Sequence, residues 1–140
     1  MKNVHMAVIH DEEAGTYGDC FRACVASVLG VESGAVPHFL HDGGGTFPDD
    51  WMNRFVQWAE SRGFIPYEFS ASIITPPGYY IATGKSPRFD VGHSVVMRNG
   101  RVVWDPHPSR DGIEGVPWSV MIFVIIDADA FYEWKDCERT

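Results

Sequence analysis

Hydrophobic positions change their spacing partway along the chain. Up to about residue 63 they recur at helical intervals, and beyond it they fall in short runs broken by Gly and Pro. Residues 4–9 read as a short opening strand. Gly-Asp-Cys at 18–20 then starts a helix over Cys20–Leu29. Asp19 is placed to cap its first turn, and Gly30 to end it in the left-handed conformation. A one-turn helix around 32–36 precedes Pro37, and 38–47 reads as loop with three glycines at 43–45. Pro48-Asp49-Asp50 opens a second helix through about Arg62, with Trp51, Phe55, Trp58 and Ala59 as its buried stripe and Gly63 as its stop.

Strands are predicted at 64–69, 79–82, 93–97, 101–104 and 120–126, and a short helix at 127–135. Helices come first and strands last. This order implies an α+β fold, with helices packed on one side of an antiparallel sheet.

Composition limits the classes. With 140 residues, 45% of them hydrophobic, residues 1–140 are expected to form one domain that buries roughly two-thirds of its unfolded surface. An aromatic content of 14% is too high for a disordered tail. The longest apolar run, 120–126, is far short of the ~20 residues that span a bilayer, and the N-terminus has no apolar core of signal-peptide length. A cytoplasmic protein without a membrane partner is expected. A net charge of −8 leaves no general basic face for a phosphate backbone, so nucleic acid is not expected as a partner. Five of the eleven bases (Lys85, Arg88, Arg98, Arg101, Arg110) lie between 85 and 110, either as a solvated face or as an attractor for an acidic substrate. Three Cys, an odd count with Cys20 and Cys24 too close to bridge comfortably, point to thiols kept reduced.

Cys20 is the sharpest chemical feature. A thiolate at a helix N-terminus meets the positive end of the dipole and amides without intrahelical partners, and the thiolate is the nucleophilic form. The alternative is a buried Cys that packs like a small hydrophobe. A second feature runs from Gly92-His93 to Trp104-Asp105-Pro106-His107, a hairpin turning at Asn99-Gly100. A carboxylate across the hairpin could hold His93 in one tautomer. With a plain two-residue turn, Asp105 sits opposite Ser94 and faces away from His93. The catalytic reading therefore predicts a three-residue turn, or a bulge with the same effect; otherwise His93 and Asp105 are ordinary surface groups.

Gly-Asp-Cys20-Phe-Arg-Ala-Cys24-Val-Ala-Ser-Val-Leu-Gly, then Gly-His93-Ser-Val-Val and Val-Val-Trp-Asp105-Pro106, resembles the papain-like cysteine peptidases that cut double-glycine leader peptides, and their small bacterial and phage relatives. The resemblance covers roughly residues 15–35 and 90–110. It implies a papain-like α+β domain with Cys20 as nucleophile, His93 as general base and Asp105 orienting the His. It implies a peptide, protein or small amide substrate and no metal or organic cofactor. The family's oxyanion-donating Gln upstream of the Cys has no counterpart, because Gln57 is the only Gln. The Cys20 backbone amide, with the hydroxyl of Thr16 or Tyr17, is the expected replacement.

Other readings stay open. The chain could be an acyl transferase, or a non-catalytic binding or inhibitor module on the same scaffold. A zinc site on Cys20, Cys24, His93 and His107 lacks a tight Cys-x-x-Cys pair. His107 is the substitute base, Cys24 is expected in the core, and His38 and His41 read as exposed polar residues. The cleft is expected from loops near 38–48, 70–78 and 84–92.

Overall fold

The computed structural model describes residues 1–41, 48–70 and 75–139; the triple glycine lies outside them. Three helices, α1 (Cys20–Leu29), α2 (Trp51–Glu60) and α3 (Ala128–Arg139), accompany five strands: β1 (Phe64–Ser70), β2 (Tyr79–Lys85), β3 (Gly92–Arg98), β4 (Arg101–Trp104) and β5 (Glu114–Ile125). The strands form one antiparallel sheet in the order β1-β5-β2-β3-β4. The chain is thus α+β, helices before strands except for α3. No helix among the described residues is long and apolar enough to cross a membrane.

α1 is the centre of the molecule. Of its ten residues only Arg22 and Val28 are not buried, because it packs on β3 and β2 with one side and is covered on the other. Ala23, Cys24, Ala26 and Ser27 keep it slim enough for a close approach on several sides. Gly30 ends it as expected, with φ of 73° and its amide turned back to Ala26 and Ser27. α2 lays Phe55 and Ala59 fully into the core. Trp51 and Trp58 rest at its edge against Phe21 and Phe39, edge-to-face at 5.3 and 5.8 Å. Fully burying a ring such as Phe55 contributes roughly 1.5–3 kcal/mol. α3 docks through Phe131 against Gly63, where φ is +82° and an added Cβ would lie 2.3 Å from the Asp127 carbonyl oxygen.

Three expectations are corrected. Residues 4–9 are not a strand, because their amides bond elsewhere: Val4 N–H to Ser27 Oγ, Met6 N–H to the Pro106 carbonyl, and Ala7 and Val8 N–H to Asp19. Asp19, in turn, makes no capping bond to α1. Its fully buried carboxylate accepts from Ala7 (3.0 Å), Val8 (2.9 Å) and both Nε and Nη2 of Arg22 (3.0 and 2.7 Å). β5 begins at Glu114 rather than 120 and runs through Pro117. A proline is tolerated there because the β2–β5 ladder shifts between Thr83 and Lys85. The one-turn helix at 32–36 is a 3-10 turn over Ser33–Ala35.

Asp19→Ala leaves two backbone amides and a guanidinium without their acceptor. Breaking a buried ion pair from one side costs about 3–5 kcal/mol. Urea denaturation is expected to show a loss of that order at unchanged m-value, against less than about 1 kcal/mol for Glu32→Ala, which removes only the exposed pairing with Lys2.

Candidate active site

Cys20, His93 and Asp105 come together although they belong to a helix, a strand and the loop after another strand. Cys20 is the first residue of α1 and only 7% exposed. His93, second in β3, is hydrogen-bonded through Nε2 to Asp105 Oδ1 at 2.8 Å, and it lines the same hollow as Cys20. With Nε2 committed to the carboxylate, Nδ1 is the ring nitrogen left to face the thiol.

The hairpin reaches this geometry by the second of the two predicted routes. Asn99 and Gly100 both have positive φ, 55° and 76°, and Arg98 pairs with Arg101, so the turn has two residues. A bulge follows: Met97 pairs with Val102, but Val96 pairs with Trp104, leaving Val103 extra. The extra residue flips the parity of what comes after it. Trp104 turns toward the core beside Val96, and Asp105 comes to the face that His93 occupies.

Asp105 is fixed from three sides. Its carboxylate accepts from His93, from the His107 amide at 2.9 Å and from the Gly112 amide at 2.7 Å. Burial works to raise its pKa, yet the His93 bond and the two amides outweigh burial and hold it below the ordinary 3.8. For His93, burial works to lower the pKa. The bonds to Asp105 and Cys20 and the negative charge on both overcome it, and the imidazole is pushed up to about 9. At neutral pH His93 is therefore an imidazolium held between a carboxylate and the sulfur.

The other predicted residues separate clearly. Cys24 lies in the core, where burial and then the charges of Cys20, Asp105 and Asp19 push its thiol well up, so it stays protonated and inert. Tyr17 lines the hollows beside Cys20, and burial together with the Cys20 charge raises its phenol, which remains a proton donor at neutral pH. Thr16 is placed elsewhere: its hydroxyl is 3.4 Å from the carbonyls of Ile9 and Asp11, in a bridge with Asp11. The Thr16 half of the oxyanion expectation is thus corrected, because a local turn uses that hydroxyl. His107 stands 6.2 Å from His93, edge-to-face, with Nδ1 accepting from the Ser109 amide at 3.0 Å. Burial, Arg88 and His93 lower its pKa, so it is a neutral neighbour of the pair.

Two residues near the site escaped the sequence reading. His38, expected to be exposed, is half-buried and donates from Nε2 to the Tyr17 carbonyl at 2.8 Å, steadying the approach to Cys20. His10 is buried beside Cys20, between Tyr17 and Phe89, and its Nδ1 accepts from the Gly18 amide at 3.4 Å. Neither could be found from periodicity, since both act through backbone groups close by in space only.

Cys20, Tyr17 and Gly92 stand between two hollows. The tighter, about 20 Å³, holds His93, His107 and Arg88 in its wall and has room for about one water. The larger is about 220 Å³ and is walled by Phe21, Leu40, Trp51 and Trp118. Leu40 and the 86–92 loop contribute as expected, whereas 75–78 lines neither hollow, with Thr75 and Pro76 at a separate one; 42–47 and 71–74 lie outside the described residues. Four members of the basic cluster are engaged locally: Lys85 with Glu114, Arg88 with Ser109, Arg98 over Tyr79 and Arg110 over Trp104. Compared with family models, with curated proteins and with solved structures, the chain finds no match.

A group whose pKa is higher folded than unfolded stabilises the fold below its unfolded value and loses that contribution as pH rises through the folded one. For His93 the window runs from 6.5 to about 9. Thermal melting temperatures are therefore expected to fall across that window in the wild type and to stay flatter in His93→Gln, whose amide carries no titrating proton. Equal slopes would mean that the imidazolium–carboxylate pair does not form.

Proposed function

We propose that this chain is a papain-like cysteine hydrolase acting on peptide or small amide bonds, with a Cys20–His93–Asp105 triad. The carrying observation is the buried His93–Asp105 hydrogen bond beside Cys20 at the N-terminus of α1. The resemblance to double-glycine leader peptidases, the helices-then-sheet order and the adjoining 220 Å³ cavity support the same reading.

In the proposed reaction the Cys20 sulfur attacks the substrate carbonyl carbon and the carbonyl π-bond becomes an oxyanion. The amide of Cys20 and the Tyr17 hydroxyl are the proposed donors to it. The imidazolium of His93 gives its proton to the leaving amine as the C–N bond breaks, which leaves a thioester. A water then attacks the thioester while His93 takes its proton. Collapse of the second tetrahedral intermediate releases the acid and returns the sulfur as thiolate beside the imidazolium. Asp105, tied down by two amides, keeps the ring oriented throughout. Cys24 cannot substitute, because the core seals it from substrate.

The first measurement is alkylation by iodoacetamide, mapped by mass spectrometry. At pH 6 Cys20 is expected to react faster than Cys24 or Cys137, and His93→Ala is expected to slow it at least tenfold. Labelling of Cys20 no faster than of Cys137 overturns the proposal.

Hydrolysis of a library of peptidyl coumarin amides then tests the reaction. Cys20→Ala should abolish it, and Asp105→Asn should lower kcat on the order of 1000-fold or more. Rates are expected to fall as pH rises through about 9, where His93 loses the proton that the leaving group needs. A biological effect that survives Cys20→Ala would identify a binding module instead, and an adduct with an added primary amine would identify an acyl transferase.

A further inference from the structure

The larger hollow beside Cys20 combines two kinds of surface. Its walls are aromatic and aliphatic: Phe21 from α1, Trp51 from α2, Leu40 and Trp118. Its floor is the helix-facing side of the sheet, which is apolar at Ile81, Val96 and Met121 and turns polar one row further on, at Thr83 and Ser94. Those two hydroxyls satisfy each other at 2.8 Å, so the floor makes no demand on a ligand. Apart from the Cys20 sulfur, Glu68 of β1 carries the one formal charge among the described residues that line the hollow. Among the described residues its hydrogen bond is a long one, 3.4 Å from Ser119 Oγ. At about 220 Å³ the space suits one extended side chain, below the roughly 300 Å³ at which sites for whole small molecules begin.

We infer that this hollow takes a substrate side chain with an apolar stem and a cationic tip, a Lys or Arg, whose charge is met by Glu68. The inference rests on the hydrolase reading and supplies its substrate class. A straight aliphatic stem gains from desolvation between Trp51, Trp118 and Phe21, and the exposed Glu68 carboxylate at the rim pairs with a cationic tip. The charge of the whole chain acts in the same direction: at −8 it draws cationic peptides toward the cleft. The local bases do not offer the opposite preference at this hollow, since no Lys or Arg is among the described residues that line it. Glu68 is therefore a specificity residue in the proposal, and it takes no part in bond breaking.

The test uses two alkylating agents that differ only at the tip, N-(4-guanidinobutyl)iodoacetamide and N-pentyliodoacetamide. Each alkylates Cys20 by displacing iodide, so neither needs turnover. The ratio of their rate constants at Cys20 is expected to be about threefold in favour of the guanidine in the wild type. It should collapse toward one in Glu68→Gln and fall below one in Glu68→Lys; because each variant is compared with itself, a general change in thiol reactivity cancels. Equal rates in the wild type, or a ratio untouched in Glu68→Gln, overturn the inference and leave an apolar pocket beside a reactive thiol. If plain iodoacetamide fails to label Cys20, the hydrolase reading fails by itself. Titration with agmatine, followed through the indole N–H resonances of Trp51 and Trp118, then decides for the hollow: shifts lost in Glu68→Gln sustain it, and no shifts refute it.

Discussion

The molecule depends on one buried carboxylate that is not part of the chemistry. Asp19 is fully buried, and its two oxygens gather the Ala7 and Val8 amides and the Arg22 guanidinium, while its own amide bonds the Val8 carbonyl. A charge in that position is tolerable only if every lone pair is used, and the bonds to it lock the N-terminal segment to the start of α1. The next residue is Cys20. Its sulfur can be held at one distance from a histidine on the sheet because the helix end before it cannot shift or fray.

The same logic of fixed acceptors repeats at the other end of the site. Asp105 receives two backbone amides before it receives His93, so it is oriented by the loop and then orients the imidazole. Burial by itself pushes His93 toward the neutral form and Asp105 toward the protonated one; their mutual bond, with the two amides on Asp105 and the Cys20 charge beside His93, reverses both tendencies. Two buried carboxylates on separate loops thus serve one purpose each: Asp19 places Cys20, and Asp105 places His93. Between them the cleft divides into a water-sized hollow and an aromatic one, both lined by Cys20.

Much of this was legible in the residues themselves. The spacing of apolar positions marked α1 and α2, and Gly30 and Gly63 marked where they stop, because local backbone preferences decide those features. The hairpin was legible from Asn99-Gly100, a pair that readily takes two positive φ angles. Cys20 stood out from its place at a helix start, and Cys24 as core, without any knowledge of neighbours. Less was legible for β5, since Pro117 normally ends a strand and only the shift in the β2 ladder lets it continue. The N-terminal segment has the alternation of a strand, yet side-chain acceptors took the amides that a neighbouring strand would have paired.

By itself the sequence determined which residues form α1, where the hairpin turns and which cysteine stands at a helix N-terminus, all consequences of interactions within a few residues. Tertiary structure alone decided that Asp105 faces His93, because one extra residue at Val103 reverses every side chain beyond it and no local propensity announces it. It also decided that Asp19 anchors the N-terminal segment instead of capping, that Thr16 leaves the site, and that Glu68 joins Trp51 and Trp118 around one cavity. These outcomes depend on which polar groups the fold buries together, and burial is a property of the packed chain rather than of any segment in it.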